Sequence, residues 1–263
     1  MSLWLCLREP RYDGRTLEAW LDDHASAPRQ DDPEAARVIR RHPGPAIKLG
    51  LKLISTKENR VFKWLGKQRW LQFLRIPNRT DELQVKGLLV FEILGPAGEP
   101  AVFRLQQLLP DVRTLFPACD ALTEIGTYSA MLAIASGATN KNPHVAVFAM
   151  SKLNVFPSSD RKDLRPYLAT AMQSSDATVA RSALTAALKC GVPLPDLEEM
   201  NAHPSKYTAH VRAERIEVIP GTMTHSQAKA SLPQLERLLL DPDASIQAAA
   251  SNVIMKIRGH RRE

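Results

Sequence analysis

The sequence feature that most constrains the fold is a helix–turn–helix unit that recurs along most of the chain. Its clearest copy covers residues 81–111, where two helical stretches flank Leu94-Gly95-Pro96. Apolar residues recur at helical spacing in both stretches, at Val85, Leu88, Leu89 and Ile93 and then at Ala101, Leu105, Leu108 and Leu109. Because glycine accepts the left-handed conformation and proline cannot continue a helix, the chain must turn between them. Two amphipathic helices cannot bury both apolar faces alone, so this unit needs neighbours on each side.

The rest of the sequence supplies further units of the same kind. Glycines that can end a helix stand at Gly44, Gly95, Gly126, Gly191 and Gly221, and the step between the second and third is 126 − 95 = 31 residues. A second pattern matches Asp176, Val179, Ala183 and Ala187 with Asp243, Ile246, Ala250 and Ile254 at the constant offset 243 − 176 = 67 residues. Paired helices with a period of roughly 30 to 40 residues are typical of α-solenoids.

The sequence therefore predicts an all-α protein, a right-handed α-solenoid of about six degenerate helical hairpins. We expect residues 1–31 to form a lead-in and an N-terminal cap helix, whose Leu17, Trp20 and Leu21 share one face. Residues 32–263 are predicted to form the repeat domain. Because the first two turn glycines are 95 − 44 = 51 residues apart, we predict a helical insertion at residues 57–80.

A family resemblance appears at residues 238–243, which read Leu-Leu-Leu-Asp-Pro-Asp and are followed by Ile246, Ala250 and Ile254. They resemble the HEAT-repeat consensus, in which Asp-Pro-Asp ends one repeat and a helix with Val/Ile and Ala positions begins the next. The lead-in at residues 9–21 is similar to the opening of many bacterial HEAT-repeat proteins of unassigned function. Asp-Pro-Asp is intact only at residues 241–243, and the insertion after Thr56 departs from the pattern. The resemblance implies a scaffold with a curved surface and carries no common catalytic residues.

Residues 57–79 carry the strongest binding signal in the sequence. Their basic residues are Lys57, Arg60, Lys63, Lys67, Arg69, Arg75 and Arg79, and their large aromatic residues include Trp64, Trp70 and Phe73. The single acidic residue among them is Glu58. We predict a contact site for an acidic protein surface or a nucleic acid, formed by Lys63, Trp64, Lys67, Arg69 and Trp70. The alternative is a solvated outer face whose tryptophans fill the gap made by the insertion.

A second predicted surface is the concave side of the solenoid, formed by the second helix of each hairpin. Lys48, Lys52, Arg104 and Gln107 would lie at exposed positions there and would contact a partner protein. Motifs for zinc proteases, phosphate loops, serine hydrolases, dinucleotide sites and calcium loops are missing from the sequence. The sequence therefore predicts no catalytic residue, no metal site and no cofactor.

These observations favour a non-enzymatic protein–protein interaction scaffold. The alternative is a nucleic-acid-binding HEAT-like protein that uses residues 57–79. Some HEAT-like proteins are DNA glycosylases, but such an enzyme needs an acid beside an aromatic cage, and this segment offers only Glu58.

The three cysteines, Cys6, Cys119 and Cys190, are isolated and are predicted to be free thiols, the last two buried on helical apolar faces. Free thiols suit a reducing compartment, so we predict a cytoplasmic protein. The competing interpretation is a membrane-tethered protein with an anchor upstream of Met1. Within this sequence no stretch approaches the roughly 18 apolar residues of a membrane-spanning helix.

Overall fold

The computed structural model describes residues 10–26, 34–56, 79–157, 161–192, 197–202, 207–222 and 225–259. Within these ranges every regular element is helical, and the extended pairing consists of an isolated bridge between Tyr12 and Arg15. The prediction of an all-α protein is confirmed for this part of the chain. The chain divides into two compact units, Met1–Ile134 and Ala135–Glu263.

The first unit contains helices that pack against their near neighbours in the sequence. They are α1 (Leu17–Ser26), α2 (Glu34–Arg41), α3 (Pro43–Ile54), α4 (Arg79–Leu94), α5 (Val102–Leu108) and α6 (Val112–Ile125), with a 3₁₀ helix at Gly95–Ala101. The next helix, α7 (Tyr128–Gly137), contains the boundary between the two units. α1 packs against α2, α3 against α4, and α4 against α6. A helix is present at the position predicted for the N-terminal cap, and its Leu17, Trp20 and Leu21 are buried.

Helices α3 and α4 approach each other closely through two glycines. A Cβ atom at Gly87 would lie 2.8 Å from Cγ1 of Ile54 and 3.0 Å from the carbonyl oxygen of Gly50. A Cβ atom at Gly50 would lie 2.9 Å from the ring of Phe91. Since real Cβ atoms do not come this close, the two backbones can approach only where side chains are absent. The two glycines therefore fix which face of α4 is buried.

The apolar face predicted for α4 is right at Ile93, which is buried, and wrong at Val85. Val85 is 58% exposed, and Leu88 and Leu89 are only half-buried. The residues that are buried at helical spacing are Gly87, Val90, Phe91 and Leu94. Glycine has no apolar side chain, so Gly87 does not contribute to a hydrophobic pattern. The spacing of the apolar residues therefore predicted that the leucines form the buried face.

Three of the five predicted turn glycines adopt the left-handed conformation, with φ of +51° at Gly95, +66° at Gly126 and +65° at Gly191. The other two lie inside helices. Gly44 belongs to the first turn of α3, between two prolines, and His42 alone separates α2 from α3. Proline is accepted in a first turn because the N–H groups there have no partner within the helix. The predicted Pro-Gly-Pro turn is therefore a helix start.

In the second unit, four helices pack one against the next in chain order. Its helices are α8 (Pro143–Lys152), α9 (Arg165–Met172), α10 (Ala177–Cys190), α11 (Leu197–Ala202), α12 (Ala209–Glu217), α13 (Ile219–Thr222), α14 (His225–Ala230), α15 (Leu232–Leu238) and α16 (Ala244–Gly259). Short 3₁₀ helices cover Leu153–Val155 and Arg161–Leu164. α8 packs against α10, α10 against α12, and α12 against α16. The fifth predicted turn glycine, Gly221, lies in α13.

Helices α8, α10 and α16 begin with the same hydrogen-bonded cap. Each capping side chain accepts a bond from the backbone N–H two residues later, at 3.1, 2.8 and 2.9 Å; the capping residues are Asn142, Asp176 and Asp243. The backbone N–H of each capping residue donates to the side chain two residues earlier, on Asn140, Ser174 and Asp241. The two hydrogen bonds made by the Asp-Pro-Asp segment at the start of α16 thus recur at the starts of α8 and α10, where the sequence is not Asp-Pro-Asp. The residues matched at the 67-residue offset are buried in both copies: Val179 with Ile246, Ala183 with Ala250, and Ala187 with Ile254.

Replacing Asp176 with alanine is expected to lower the free energy of unfolding by about 1 kcal/mol. The carboxylate accepts bonds from the N–H groups of Thr178 and Val179, which have no acceptor within the helix. Urea denaturation followed by far-UV circular dichroism measures the change. Glu217→Ala is the matched control, because this exposed acid lies at the C-terminal end of α12, where the helix dipole does not favour it. An equal loss in both variants would contradict the capping role.

Replacing Ser245 with alanine is expected to raise the pKa of Asp243 towards its ordinary value. Hydrogen bonds from the hydroxyl and the backbone N–H of Ser245 hold the pKa of this carboxyl group below its usual range. Because the pKa of Asp243 is lower in the folded state than in the unfolded state, this carboxylate stabilises the fold at any pH above its unfolded-state pKa. The stabilisation is lost as pH falls through the folded-state pKa. An NMR titration of the Asp243 carboxyl carbon measures the pKa directly. An unchanged pKa would show that the hydroxyl has no role in the cap.

Candidate functional site

The strongest predicted binding site lies outside the described residues. Lys63, Trp64, Lys67, Arg69 and Trp70 all fall within residues 57–78, and the description resumes with Arg79 at the start of α4. Their binding role therefore stays a prediction from the sequence.

The other predicted contact residues are exposed and lie on two helices of the first unit. Lys48 and Lys52 are one turn apart on the same face of α3. Arg104 is on α5, where its Nη1 donates a hydrogen bond to Oε1 of Gln107 at 3.3 Å. The structure thus brings the two lysines together and places the arginine on a separate helix. Their contact with a partner also stays a prediction.

A groove of about 190 Å³ lies in the second unit between α8 and α10. Its apolar residues are Val147 and Met150 from α8 and Ala186 from α10. Met150 and Ala186 are buried and Val147 is half-buried, so these side chains form the floor. No pattern in the sequence indicates this groove.

Polar side chains form the two walls of the groove. Ser151 and Asn154 line the α8 side, and Arg181, Ser182, Thr185 and Lys189 line the α10 side. Both charged residues of the lining are cationic, and they lie a little more than two turns apart on α10, rotated by about 80° around its axis. The hydroxyl group of Ser151 donates to the carbonyl of Phe148 at 2.7 Å, and that of Thr185 to the carbonyl of Arg181 at 3.0 Å. Since each hydroxyl proton is used within its helix, each oxygen can act only as an acceptor for a further hydrogen bond.

The guanidinium group of Arg181 is held by two residues of α12. Its Nε atom lies 2.5 Å from Oε1 of Glu214, and its Nη2 atom lies 2.6 Å from Nε2 of His210. Because a guanidinium group only donates hydrogen bonds, Nε2 of His210 acts as the acceptor. The Arg181 side chain is 53% exposed, and these two contacts from α12 orient its guanidinium group.

Arg161 fixes one end of the groove. Its Nη2 and Nη1 atoms donate to the carbonyl oxygens of Asn154 at 2.7 Å and Lys189 at 3.4 Å, which belong to opposite walls. Its Nε atom donates to the carbonyl of Phe156 at 2.7 Å. One cationic side chain thus ties the 3₁₀ helix that follows α8 to the end of α10. This contact joins residues that are far apart in sequence, so the pattern of the chain alone gave no signal for it.

The two described cysteines are buried, as the sequence predicts. Burial raises the pKa of Cys190, so its thiol stays protonated at neutral pH although it follows Lys189 in the groove wall. The thiolate is the reactive form of cysteine, so the Cys190 side chain serves as a packing group.

Within the described ranges, no group of three or more His, Cys, Asp or Glu side chains lies close enough to hold a metal ion. None of the described helices combines the length and the hydropathy needed to cross a lipid bilayer.

Comparison with known proteins gave no assignment: no protein-family model matches the sequence, and no curated protein is significantly similar to it. The resemblance to HEAT repeats therefore rests on the residues described above, and the function must be argued from the surface of the molecule.

Proposed function

We propose that the chain is a non-enzymatic protein-interaction scaffold, built as a right-handed α-solenoid of HEAT-like hairpins. The observation that carries this proposal is the packing of the second unit, in which α8 contacts α10, α10 contacts α12, and α12 contacts α16. Identical caps begin three of these helices. Stacked repeats of this kind create a long surface from short local contacts, and natural repeat proteins use such surfaces to bind other proteins.

Affinity capture from the native cell extract tests the proposal. The full chain, immobilised and lightly cross-linked, is expected to enrich the same protein or proteins in every replicate. The chain carries a formal charge of +7, so the control bait is an unrelated helical protein with the same net charge. A protein recovered equally with both baits reflects charge alone. If nothing is enriched over the control, the scaffold proposal is wrong.

A second candidate function is nucleic-acid binding through residues 57–79, which the excess of basic residues over the single Glu58 favours. Each phosphate contact would release counterions, so the affinity for an oligonucleotide should fall by orders of magnitude between low and moderate salt. Titration of single-stranded and duplex oligonucleotides at two salt concentrations measures this dependence. The control chain carries Lys63→Glu, Lys67→Glu and Arg69→Glu. Negligible binding by both chains would remove this candidate.

We also propose that the protein acts in the cytoplasm, since the thiols of Cys119 and Cys190 are buried and are not joined in a disulfide, as suits a reducing compartment. Cell fractionation with an antibody against the chain tests this location. Recovery in the membrane fraction after a high-salt wash would instead support tethering by an upstream anchor.

A further inference from the structure

We propose that the groove between α8 and α10 binds a short acidic segment of a partner protein, with one apolar side chain of that segment on the groove floor. This inference deepens the proposed scaffold function and rests on it. The groove supplies three independent requirements for such a ligand: an apolar floor, cations at a defined separation, and acceptors for peptide N–H groups.

The floor determines the size of what can be buried. The groove holds about 190 Å³ and is lined below by Val147, Met150 and Ala186. Pockets for small molecules and cofactors are larger, roughly 300–1,000 Å³. The floor therefore suits a single aliphatic side chain that is presented by a peptide.

The cations determine the spacing of the acidic residues. Arg181 and Lys189 are 189 − 181 = 8 residues apart on α10, which corresponds to about 12 Å along the helix axis. An extended peptide covers about 13 Å in four residues, and its alternate side chains point to the same side. An acid, an apolar residue and a second acid at alternate positions would thus meet one cation, the floor and the other cation in turn.

The hydroxyl groups favour a peptide over a nucleic acid. Ser151 and Thr185 line the groove, and their hydroxyl oxygens are left as acceptors because their protons are donated within their own helices. A peptide backbone offers N–H donors to these oxygens, whereas a phosphodiester backbone offers only acceptors. Asn154 can both donate to and accept from a peptide backbone.

Arg181 is already placed for this role. Its contacts with Glu214 and His210 use the Nε and Nη2 atoms, so a ligand carboxylate can bind Nη1. Because the side chain is ordered by these contacts, binding loses less side-chain entropy than it would at a free arginine. Glu214 offsets part of the charge of Arg181, and Lys189 supplies the remaining positive charge at the other end of the wall.

The test uses labelled synthetic peptides and the full chain, with fluorescence anisotropy at low salt. The first probe has the pattern Glu-Ser-Leu-Ser-Glu, the second replaces both glutamates with glutamine, and the third places the glutamates directly beside the leucine. We expect the first probe to bind at least about tenfold more tightly than either of the others, because only it pairs both carboxylates at the required spacing.

Variants of the chain locate the binding. The double variant Arg181→Gln/Lys189→Gln is expected to weaken binding of the first probe by at least about tenfold. The matched control is Lys141→Gln/Arg237→Gln, which removes the same charge from exposed positions outside the groove and should leave the affinity unchanged. Equal binding of the acidic and neutral probes, or equal weakening by both double variants, would overturn the proposal.

The same double variant separates this inference from the scaffold proposal. If Arg181→Gln/Lys189→Gln loses partners that the unaltered chain captures from the native extract, the groove is the contact site. Undiminished capture of those partners would overturn the groove proposal and leave the scaffold function standing. Failure of the unaltered chain to capture any protein would overturn the scaffold function itself.

Discussion

Replacing Phe91 with alanine is expected to lower the free energy of unfolding by about 4 kcal/mol, the largest effect we predict for a single side chain. Phe91 is fully buried, and its ring faces both Gly50 of α3 and Gly98 of the 3₁₀ helix. Because Gly50 and Gly98 have no side chains that could move into the space, the variant should keep much of the cavity. Urea denaturation followed by far-UV circular dichroism measures the loss.

The matched control is Phe103→Ala, which makes the same chemical change on α5. Phe103 is 66% exposed, so its removal should change the free energy of unfolding by no more than about 0.5 kcal/mol. Comparable losses in the two variants would contradict the buried face that the structure assigns to α4.

The second large effect is expected at the close contact between α3 and α4. Gly87→Val should lower the free energy of unfolding by about 3 kcal/mol, because its Cβ atom would meet the carbonyl oxygen of Gly50 and the backbone nitrogen of Ile54, each at 3.0 Å. Backbone atoms cannot rotate away as a side chain can, so the two helices must separate. Thermal and urea denaturation both measure the change.

Gly44→Ala is the control for this prediction. Gly44 lies in the first turn of α3 with open space around its missing Cβ atom, so alanine should raise stability by about 0.5 kcal/mol through a smaller loss of backbone entropy. If Gly87→Val is as stable as the unaltered chain, helices α3 and α4 do not approach each other as described.

The sequence predicted those parts of the fold that depend on local chemistry. The helical spacing of Leu17, Trp20 and Leu21 gave the first helix and its buried face. Gly95, Gly126 and Gly191 end helices as expected because each adopts a conformation that side chains disfavour. The offset between the segments that begin at Asp176 and Asp243 gave two equivalent helices with equivalent caps.

Features that depend on contact between distant residues were not predictable in the same way. The buried face of α4 is set by Gly50 and Gly87, whose lack of a side chain leaves no apolar pattern to detect. The groove needs Asn154 and Lys189 to be neighbours and Arg181 to meet Glu214 on another helix. In the sequence, the basic residues of α10 are indistinguishable from a solvated helix face.

Mass measurement of a reconstituted complex tests the central claim, that this chain binds a partner protein without altering it chemically. The purified chain is mixed with a captured partner and analysed by size-exclusion chromatography with light scattering, and both proteins are then weighed by intact-protein mass spectrometry. We predict a stoichiometric complex in which each protein keeps the mass it had alone. A partner whose mass changes when only a catalytic amount of the chain is added would contradict the scaffold function and identify the protein as an enzyme.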